Sequence, residues 1–322
     1  MKKLSSIIIF LVLFITGYNG YHSYRYDIKT PMPDIEYKKS IIKDSHNLTY
    51  NLESLRPLMG PDELSEFIKE NDKNPQIYTP SPENLASGKF RATLHTHTTK
   101  SDGIPTVEDR MNEAQNYAEK HIKDGYVVLA ITDHNTVWGA KEVIKVLETN
   151  RNKYDKIKVV AGIEISTKYN NSKTAGIPID IHVLTWCINP YNEFLKQEFF
   201  KKDPNDKLNR KYPDRDFDWV IKTMTNHGIV GVAHPARYTE ELNEYKYPYI
   251  TEMLTHYKEL NPNIKFTEGY YQSYKQTATG DLLGTEYDRY INYINQEAKR
   301  LGIIRTGSTD AHGLSMFGYR KN

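Results

Sequence analysis

The chain has 322 residues, a formal net charge of +2 and a single cysteine. The near balance of charges gives no support to nucleic acid as the main partner, and one cysteine excludes an internal disulfide framework. Because 38% of the residues are hydrophobic, the chain can bury a sizeable core, and the composition does not indicate wholesale disorder.

The first twenty residues are arranged like a secretory signal. Lys2 and Lys3 form a short basic start, residues 7–15 (IIIFLVLFI) are wholly apolar, and polar sequence begins near Tyr18. The apolar run is shorter than the roughly 20 residues that span a bilayer. No A-x-A cleavage pattern follows it, so an uncleaved membrane tether through residues 4–18 is the alternative. In both cases we expect the functional part outside the cytoplasm, in the periplasm or the extracellular space.

Residues 21–89 form a proline-rich lead-in without ligand-type clusters. One short helix is predicted at Pro61–Asn71 (PDELSEFIKEN), because its apolar residues fall on one side at helical spacing. We expect this lead-in to act as a stalk or to pack on the outside of the main domain, which spans residues 90–322.

From residue 90 onwards, short apolar segments alternate with amphipathic ones. Such alternation predicts a parallel sheet with crossover helices, and the length suits a closed barrel better than a small open sheet. The predicted strands lie at residues 90–95, 126–132, 158–163, 179–185, 229–233, 264–267 and 303–306, and the predicted helices at 106–122, 137–148, 217–227 and 285–301.

Metal-ligand side chains collect at the ends of these strands, where the sites of parallel α/β folds lie. The first motif, LHTHTTKSDG at residues 94–103, has two histidines on alternate residues, which point the same way on a strand. Six of the eleven histidines fall on predicted strand ends, together with three carboxylates. The full set is His95, His97, Asp102, His134, Glu164, His182, His234, Asp310 and His312.

Each of these residues has an ordinary interpretation when taken alone. A lone His182 or His234 is more often a satisfied core histidine, His134 could cap the next helix, and Asp102 in SDG is a turn residue. Their joint occurrence at one end of one barrel predicts a metal site. Imidazole with carboxylate suits zinc, iron or manganese. More than four ligands implies more than one ion, and a carboxylate such as Glu164 could bridge two of them.

Six segments, in order, carry a resemblance to a known family. They read LHTHTTKSDG, AITDHN, VVAGIEIS, DIHVL, VAHPAR and TGSTDAHG, and they cover about residues 90–318. With them the sequence resembles the PHP family, named for polymerase and histidinol phosphatase. The resemblance implies a distorted (β/α)7 barrel, similar to a TIM barrel, with a three-metal centre and phosphatase or phosphodiesterase activity.

The resemblance also implies a ligand set for each ion. Asp102 departs from the pattern of some family members, which have histidine at this position. Carried over position by position, the first set is His95, His97, Glu164 and Asp310, the second is Glu164, His182 and His234, and the third is Asp102, His134 and His312, with Asp310 close by.

Divalent ions lower the pKa of bound water and bind phosphoryl oxygens. We therefore expect a metal-bridging hydroxide to attack the phosphorus of a small phosphorylated substrate, without a protein nucleophile.

Arg237 is the predicted phosphate clamp, because guanidinium groups match phosphate oxygens. Lys100, Lys168 and Glu268 are weaker candidates for substrate binding. The alternative for each lysine is a solvated surface charge, and for Glu268 a helix-capping or surface carboxylate. Asp133 is predicted to orient a metal ligand.

Three functions compete at this point. The favoured one is an exported metal-dependent phosphoesterase with two or three Zn, Fe or Mn ions. The second is a metal-dependent hydrolase of a non-phosphate ester or an amide, and phosphate-binding residues such as Arg237 separate it from the first. The third is a non-enzymatic exported binding module on the same scaffold, against which the full set of ligand residues argues.

Overall fold

The computed structural model describes residues 33–45, 51–150, 152–170, 172–199, 215–236, 242, 245–271 and 285–317. The proposed signal or tether and the predicted phosphate clamp Arg237 lie outside the described residues. Across the described ranges, no helix has the length and apolarity that crossing a membrane requires.

The described residues form an α/β fold in which strands and helices alternate from residue 92 onwards, except that β4 follows β3 directly. The strands are β1 (Ala92–Thr93), β2 (Val127–Ile131), β3 (Ile157–Tyr169), β4 (Ile179–Trp186), β5 (Arg215–Asp216), β6 (Ile229–Ala233), β7 (Phe266–Tyr271) and β8 (Ile304–Ser308). The helices are α1 (Asp34–Asp44), α2 (Pro61–Asn71), α3 (Pro82–Ala86), α4 (Val107–His121), α5 (Trp138–Thr149), α6 (Glu193–Phe199), α7 (Phe217–Met224), α8 (Lys246–Leu260) and α9 (Thr285–Leu301).

The strands form one sheet whose two ends come together. The strand order is β1-β2-β3-β4-β6-β7-β8, and the short β5 pairs with β3. Backbone hydrogen bonds join the last strand and its following loop to the first: Leu94 donates to Gly307 at 3.3 Å and His97 donates to Ala311 at 3.1 Å. The sheet is therefore barrel-like and nearly closed, as the alternation of strands and helices predicts.

The prediction of a parallel sheet is wrong for β4, which runs antiparallel to both β3 and β6. Only residues 170–178 separate β3 from β4, too few for the crossover that parallel neighbours need. His182 lies near the start of β4, opposite Ser166 of β3 and Ala233 of β6. The reversed strand thus delivers its histidine to the same end of the barrel as the carboxyl ends of the parallel strands.

β3 is longer than predicted, because its outer half pairs with β4. The pairing runs from Gly162 opposite Trp186 to Tyr169 opposite Ile179. Glu164 therefore lies inside a strand that is hydrogen-bonded on this side, and not at a strand end. Such a position holds the carboxylate more firmly than a loop would.

Local sequence explains where α4 begins. The Thr106 hydroxyl accepts a hydrogen bond from the Asp109 backbone N–H at 3.1 Å, and the Asp109 carboxylate accepts one from the Thr106 N–H at 2.9 Å. This capping box satisfies two N–H groups that would otherwise lack a partner. Met111 and Ala114 lie on the buried face of the helix, so the cap directs α4 onto the barrel.

The described part of the lead-in packs against the end of the barrel opposite the carboxyl ends of the parallel strands. Helix α2 has the predicted bounds. Leu58 forms a bridge to Val159, near the start of β3. The Tyr37 hydroxyl of α1 donates to the Ile188 carbonyl, just beyond the end of the antiparallel β4, at 3.1 Å. These two contacts of the described lead-in therefore lie away from the carboxyl ends of the parallel strands.

Asp72 fastens the lead-in to β8. Its carboxylate accepts hydrogen bonds from the Arg305 backbone N–H at 2.6 Å and from the Arg305 guanidinium at 3.0 Å. Burial raises the pKa of Asp72, but the hydrogen bonds from Arg305 outweigh burial and lower it below its ordinary value. A carboxylate with a lowered folded-state pKa stabilises the fold above its unfolded pKa of about 3.9, and this contribution disappears as the pH falls through the folded pKa.

We therefore expect Asp72→Asn to lower the free energy of unfolding by about 1 kcal/mol at pH 7, because the hydrogen bonds to a charged group are lost from a partly solvent-screened pair. The difference from the wild type should shrink below about pH 4. Urea unfolding at several pH values measures both. Glu36→Gln, in an exposed pair with Lys39, is the matched control. If the difference in unfolding free energy between the wild type and Asp72→Asn stayed constant down to pH 3, the Asp72 carboxylate would not be stabilised by Arg305.

Candidate metal centre

All nine predicted ligand residues converge at the end of the barrel where the parallel strands have their carboxyl ends. Among the described residues, three groups bring their donor atoms within 4.8 Å of one another. We call them the first, second and third clusters. They consist of His95, His97, Glu164 and Asp310; of His134, Glu164 and His182; and of His97, Asp102, His134 and His312.

The backbone turns sharply where three strands reach this site. Asn135, His234 and Asp310 have positive φ angles of 51°, 24° and 46°. Each residue follows the end of β2, β6 or β8 within a few positions. Left-handed backbone at non-glycine residues costs of order 1–3 kcal/mol and tends to occur at functional sites. Three of the four described non-glycine residues with a positive φ therefore lie at this end of the barrel, and the fourth, Cys187, follows the end of the antiparallel β4.

The first cluster has the dimensions of a tetrahedral cage. The Nε2 atoms of His95 and His97 are 3.0 Å apart, and His95 Nε2 lies 3.0 Å from Glu164 Oε2. Asp310 Oδ1 lies 3.3 Å from His95 Nε2 and 2.9 Å from His97 Nε2. Ligand atoms about 2.0–2.1 Å from a tetrahedral zinc ion are about 3.3 Å apart. The four donor atoms thus fit around one ion.

Glu164 joins the first cluster to the second. Its Oε2 faces the first cluster and also lies 3.0 Å from His134 Nδ1. Its Oε1 lies 2.6 Å from His182 Nδ1 and 2.9 Å from His234 Nε2. One carboxylate therefore presents an oxygen to each of two neighbouring positions, as expected of a bridging ligand. The second cluster differs from the implied set, because it contains His134 in place of His234, which contacts Glu164 but is in none of the three clusters.

The third cluster lies at the solvent side of the site. Asp102 Oδ2 is 3.0 Å from His312 Nε2 and 3.8 Å from His134 Nε2. His97 Nδ1 is 3.7 Å from Asp102 Oδ1, so the His97 ring faces the first cluster with one nitrogen and the third with the other. The resemblance did not imply this second contact of His97. The His312 side chain is 28% exposed, whereas Asp102 is 1% exposed.

The buried charges compensate one another. Burial alone would raise the pKa of Glu164 and Asp310, but nearby histidines, His134 and His95 foremost, lower both pKa values well below the ordinary range. Burial lowers the pKa of His182 to about 4 although Glu164 opposes the shift. Ionised carboxylates and a neutral imidazole are the forms that bind metal ions.

One buried nitrogen also indicates that these residues can bind metal ions. His97 is fully buried, and its Nδ1 has no hydrogen-bond partner within the part of the chain that the structure describes. An unsatisfied buried polar atom costs about 1–3 kcal/mol. A divalent cation in the third cluster would satisfy it, and imidazole with carboxylate is a suitable ligand set for such a cation. The residues present therefore fit metal ions.

Asp133 does not orient a metal ligand through the contacts seen here. Its Oδ1 accepts hydrogen bonds from the Thr98 backbone N–H at 2.8 Å and from the Ser101 hydroxyl at 2.7 Å. Its Oδ2 accepts one from the Thr98 hydroxyl at 2.8 Å. Asp133 thus holds the loop that carries Asp102. It positions this member of the third cluster through the loop and not through a direct contact with the Asp102 side chain.

Arg110 is a supporting residue that the sequence analysis missed. It is fully buried in α4, and its Nε donates to the His97 carbonyl at 3.2 Å. Its Nη2 donates to the carbonyls of Ala311 at 2.7 Å and Gly313 at 2.8 Å. Arg110 therefore ties the loop after β1 to the loop that carries His312. The available signal was an arginine three residues after Val107, on the apolar face of the helix.

The predicted substrate residues lie in different surroundings. Lys100 is half-buried, with its Nζ 3.8 Å from the Glu142 carboxylate, and Lys168 is half-buried in β3. Glu268 is fully buried inside β7, where both carboxylate oxygens contact protein groups, among them His95. Because this carboxylate supports ligand residues from within the barrel, the predicted role in substrate contact does not match its position.

Part of the chain is similar to a known enzyme. Over 118 residues, 34% of its length, the chain is 27% identical to the DNA polymerase/3'-5' exonuclease PolX of Bacillus subtilis (strain 168). The chain covers 19% of that protein.

Two solved structures are also similar. One is an amidohydrolase from Chromobacterium violaceum with bound sulfate and no metal, with a TM-score of 0.45 and 14% identity, covering 69% of this chain and 88% of that one. The other is a two-domain protein from Bacteroides vulgatus ATCC 8482 described as containing a predicted PHP-like metal-dependent phosphoesterase. Its TM-score is 0.39 with 13% identity, covering 70% of this chain and 52% of that one.

The family model of the PHP domain matches residues 93–312, well over half of the chain. The matched segment contains all nine predicted ligand residues. The chain belongs to the PHP family.

Proposed function

We propose that this protein is an exported metal-dependent phosphoesterase that hydrolyses a small phosphorylated molecule with two or three Zn, Fe or Mn ions. Family membership and the clustered ligands support a metal-dependent hydrolase. The observation that carries the proposal is Glu164, whose two oxygens face two neighbouring clusters. Such bridging is typical of sites that hold two ions close together for displacement at phosphorus.

Bound divalent ions supply a water of lowered pKa and neutralise charge on phosphoryl oxygens. The chain's own residues determine how a substrate reaches them. Glu164 and Asp310 are buried, whereas His312 is 28% exposed. A substrate therefore approaches from the third cluster, and the buried ligands behind it exclude bulk water from the first.

The family relative supports phosphorus chemistry without defining the substrate. The Bacillus subtilis protein is named a DNA polymerase and 3'-5' exonuclease, and an exonuclease hydrolyses phosphodiesters. The chain covers only 19% of that protein. Phosphomonoesters and phosphodiesters therefore both remain candidate substrates, and both are assayed.

We also propose that the metal centre works outside the cytoplasm. The basic start and apolar run of the first twenty residues support export, with a tether through residues 4–18 as the alternative. The described lead-in packs on the end of the barrel opposite the metal centre.

The deciding experiment removes metal with a chelator, restores Zn, Mn or Fe, counts the bound ions, and assays the protein. The substrate panel contains phosphomonoesters, phosphodiesters, nucleotides, carboxylic esters and amides. We expect two to three bound ions and metal-dependent release of phosphate or cleavage of a phosphodiester. Turnover of esters or amides alone, or binding of metal without any turnover, would overturn the proposal.

Arg237 is the proposed phosphate clamp, on sequence grounds, three residues after His234. We expect Arg237→Ala to lower phosphoesterase turnover by about tenfold or more at unchanged metal content, because a charge-assisted bidentate contact is lost. Arg237→Lys should lose less, since the charge remains without the planar fork. Arg300→Ala, which removes an exposed arginine on α9, is the control. Unchanged turnover in Arg237→Ala would remove the clamp role.

A further inference from the structure

Glu268 is a buried carboxylate that contacts two parts of the metal centre. Its Oε1 lies 3.2 Å from His95 Nδ1 and also accepts a hydrogen bond from the Ser308 hydroxyl. Its Oε2 accepts the His234 backbone N–H at 2.7 Å. Glu268 is absent from all three clusters of donor atoms, so among the described residues its contacts support the ligands and do not complete a ligand cage.

The contact with His95 determines which ring nitrogen carries the proton. A carboxylate at Nδ1 favours the tautomer in which Nδ1–H donates to it. The lone pair is then on Nε2, the atom that lies 3.0 Å from both His97 Nε2 and Glu164 Oε2. The ring is therefore held with its metal-binding nitrogen directed into the first cluster.

The second oxygen of Glu268 acts on the backbone. His234 has a φ of 24°, and its N–H donates to the carboxylate from this strained conformation. The hydrogen bond offsets part of the backbone strain. It also fixes the backbone position from which the His234 side chain extends. That ring places its Nε2 2.9 Å from Glu164 Oε1, on the side of the second cluster.

We propose that Glu268 is a positioning residue of the metal centre: it fixes the tautomer and orientation of His95 for the first ion and the backbone of His234 beside the second. The proposal rests on the metal centre of the proposed function, and not on phosphate being the substrate. Glutamine cannot replace this carboxylate, because all three of its contacts are donors. In one orientation, the amide NH₂ would face the His234 backbone N–H, so two donors would oppose each other. In the other, the NH₂ would donate to His95 Nδ1, and the ring proton would have to move to Nε2.

The test measures metal affinity without substrate, so its result is independent of the phosphoesterase assay. Full-length Glu268→Gln is titrated with Zn²⁺ and Mn²⁺ against a competing chelator. We expect the affinity of the tightest site to fall about 10–100-fold, as is typical when a group that orients a metal-binding histidine is removed. Glu297→Gln, the same chemical change on α9, should leave the affinity unchanged. A folded Glu268→Gln protein with wild-type affinity for every ion would overturn the proposal.

Two further measurements cover the case in which Glu268→Gln fails to fold. Glu268→Asp keeps the charge but shortens the reach, and we expect it to lose affinity less than glutamine does. In the metal-loaded wild-type protein, nitrogen-15 NMR of the histidines should show the His95 proton on Nδ1. A proton on Nε2 of His95, or no loss in a folded Glu268→Asp protein, would contradict the role.

Discussion

Glu164→Gln is expected to lower turnover on the order of 10³-fold, since a ligand that stabilises charge in the site is lost. The physical reason is that one carboxylate serves two clusters. Its Oε2 lies 3.0 Å from His95 Nε2, and its Oε1 lies 2.6 Å from His182 Nδ1 and 2.9 Å from His234 Nε2. Glutamine removes the negative charge and presents an NH₂ group, which cannot bind a cation, to one of the clusters.

The measurement pairs turnover with the number of bound ions. We expect Glu164→Gln to lose one or two ions and activity together, because the bridging position is shared. Glu142→Gln is the control, since Glu142 lies outside the clusters with its carboxylate 3.8 Å from the Lys100 ammonium. If Glu164→Gln retained every ion and near-normal turnover, Glu164 would not be the bridging ligand.

Arg110→Ala is expected to lower the free energy of unfolding by about 3–5 kcal/mol, because several buried hydrogen bonds from a charged donor, each worth about 1.5–3 kcal/mol, are lost. Burial lowers the pKa of Arg110 to about 10, with Glu113 opposing the shift, so the guanidinium is charged at neutral pH. Its removal takes the guanidinium donor from the carbonyls of His97, Ala311 and Gly313, of which Ala311 keeps the His97 backbone N–H. Urea unfolding of the metal-free protein measures the loss separately from any effect of bound ions.

Two further variants show whether the guanidinium fork is responsible. Arg110→Lys keeps the charge but cannot reach the same carbonyls from two loops, so we expect an intermediate loss. Arg300→Ala removes an exposed arginine paired with Glu297, and its effect should stay within about 0.5 kcal/mol. A loss below about 1 kcal/mol in Arg110→Ala would contradict a structural role for the buried network.

The segments that the sequence predicted best are those with strong local periodicity. Helix α2 at Pro61–Asn71, strand β6 at Ile229–Ala233 and helix α9 at Thr285–Leu301 have the predicted bounds. Helical and strand periods are properties of neighbouring residues, so one sequence window contains them. Where pairing with another strand determines the bounds, as β4 does for β3, the prediction ended the strand at residue 163, whereas the structure ends it at Tyr169.

By itself, the sequence determined which residues collect at one end of the barrel. Histidines and carboxylates at the ends of predicted strands must meet there, because strands of one sheet share that edge. The same argument placed His182 correctly at this end of the barrel, although the direction of β4 was predicted wrongly. A histidine near the start of an antiparallel strand lies beside the carboxyl ends of its parallel neighbours.

Only the tertiary structure decided which groups support those ligands. His95 and Glu268 are 173 residues apart in the chain, and Arg110 and Ala311 are 201 apart. No periodicity links residues at such separations, and a buried carboxylate or guanidinium has the same local pattern as a surface one. Closure of the sheet brings these groups to the metal centre, where burial and the need of each polar atom for a partner determine their roles.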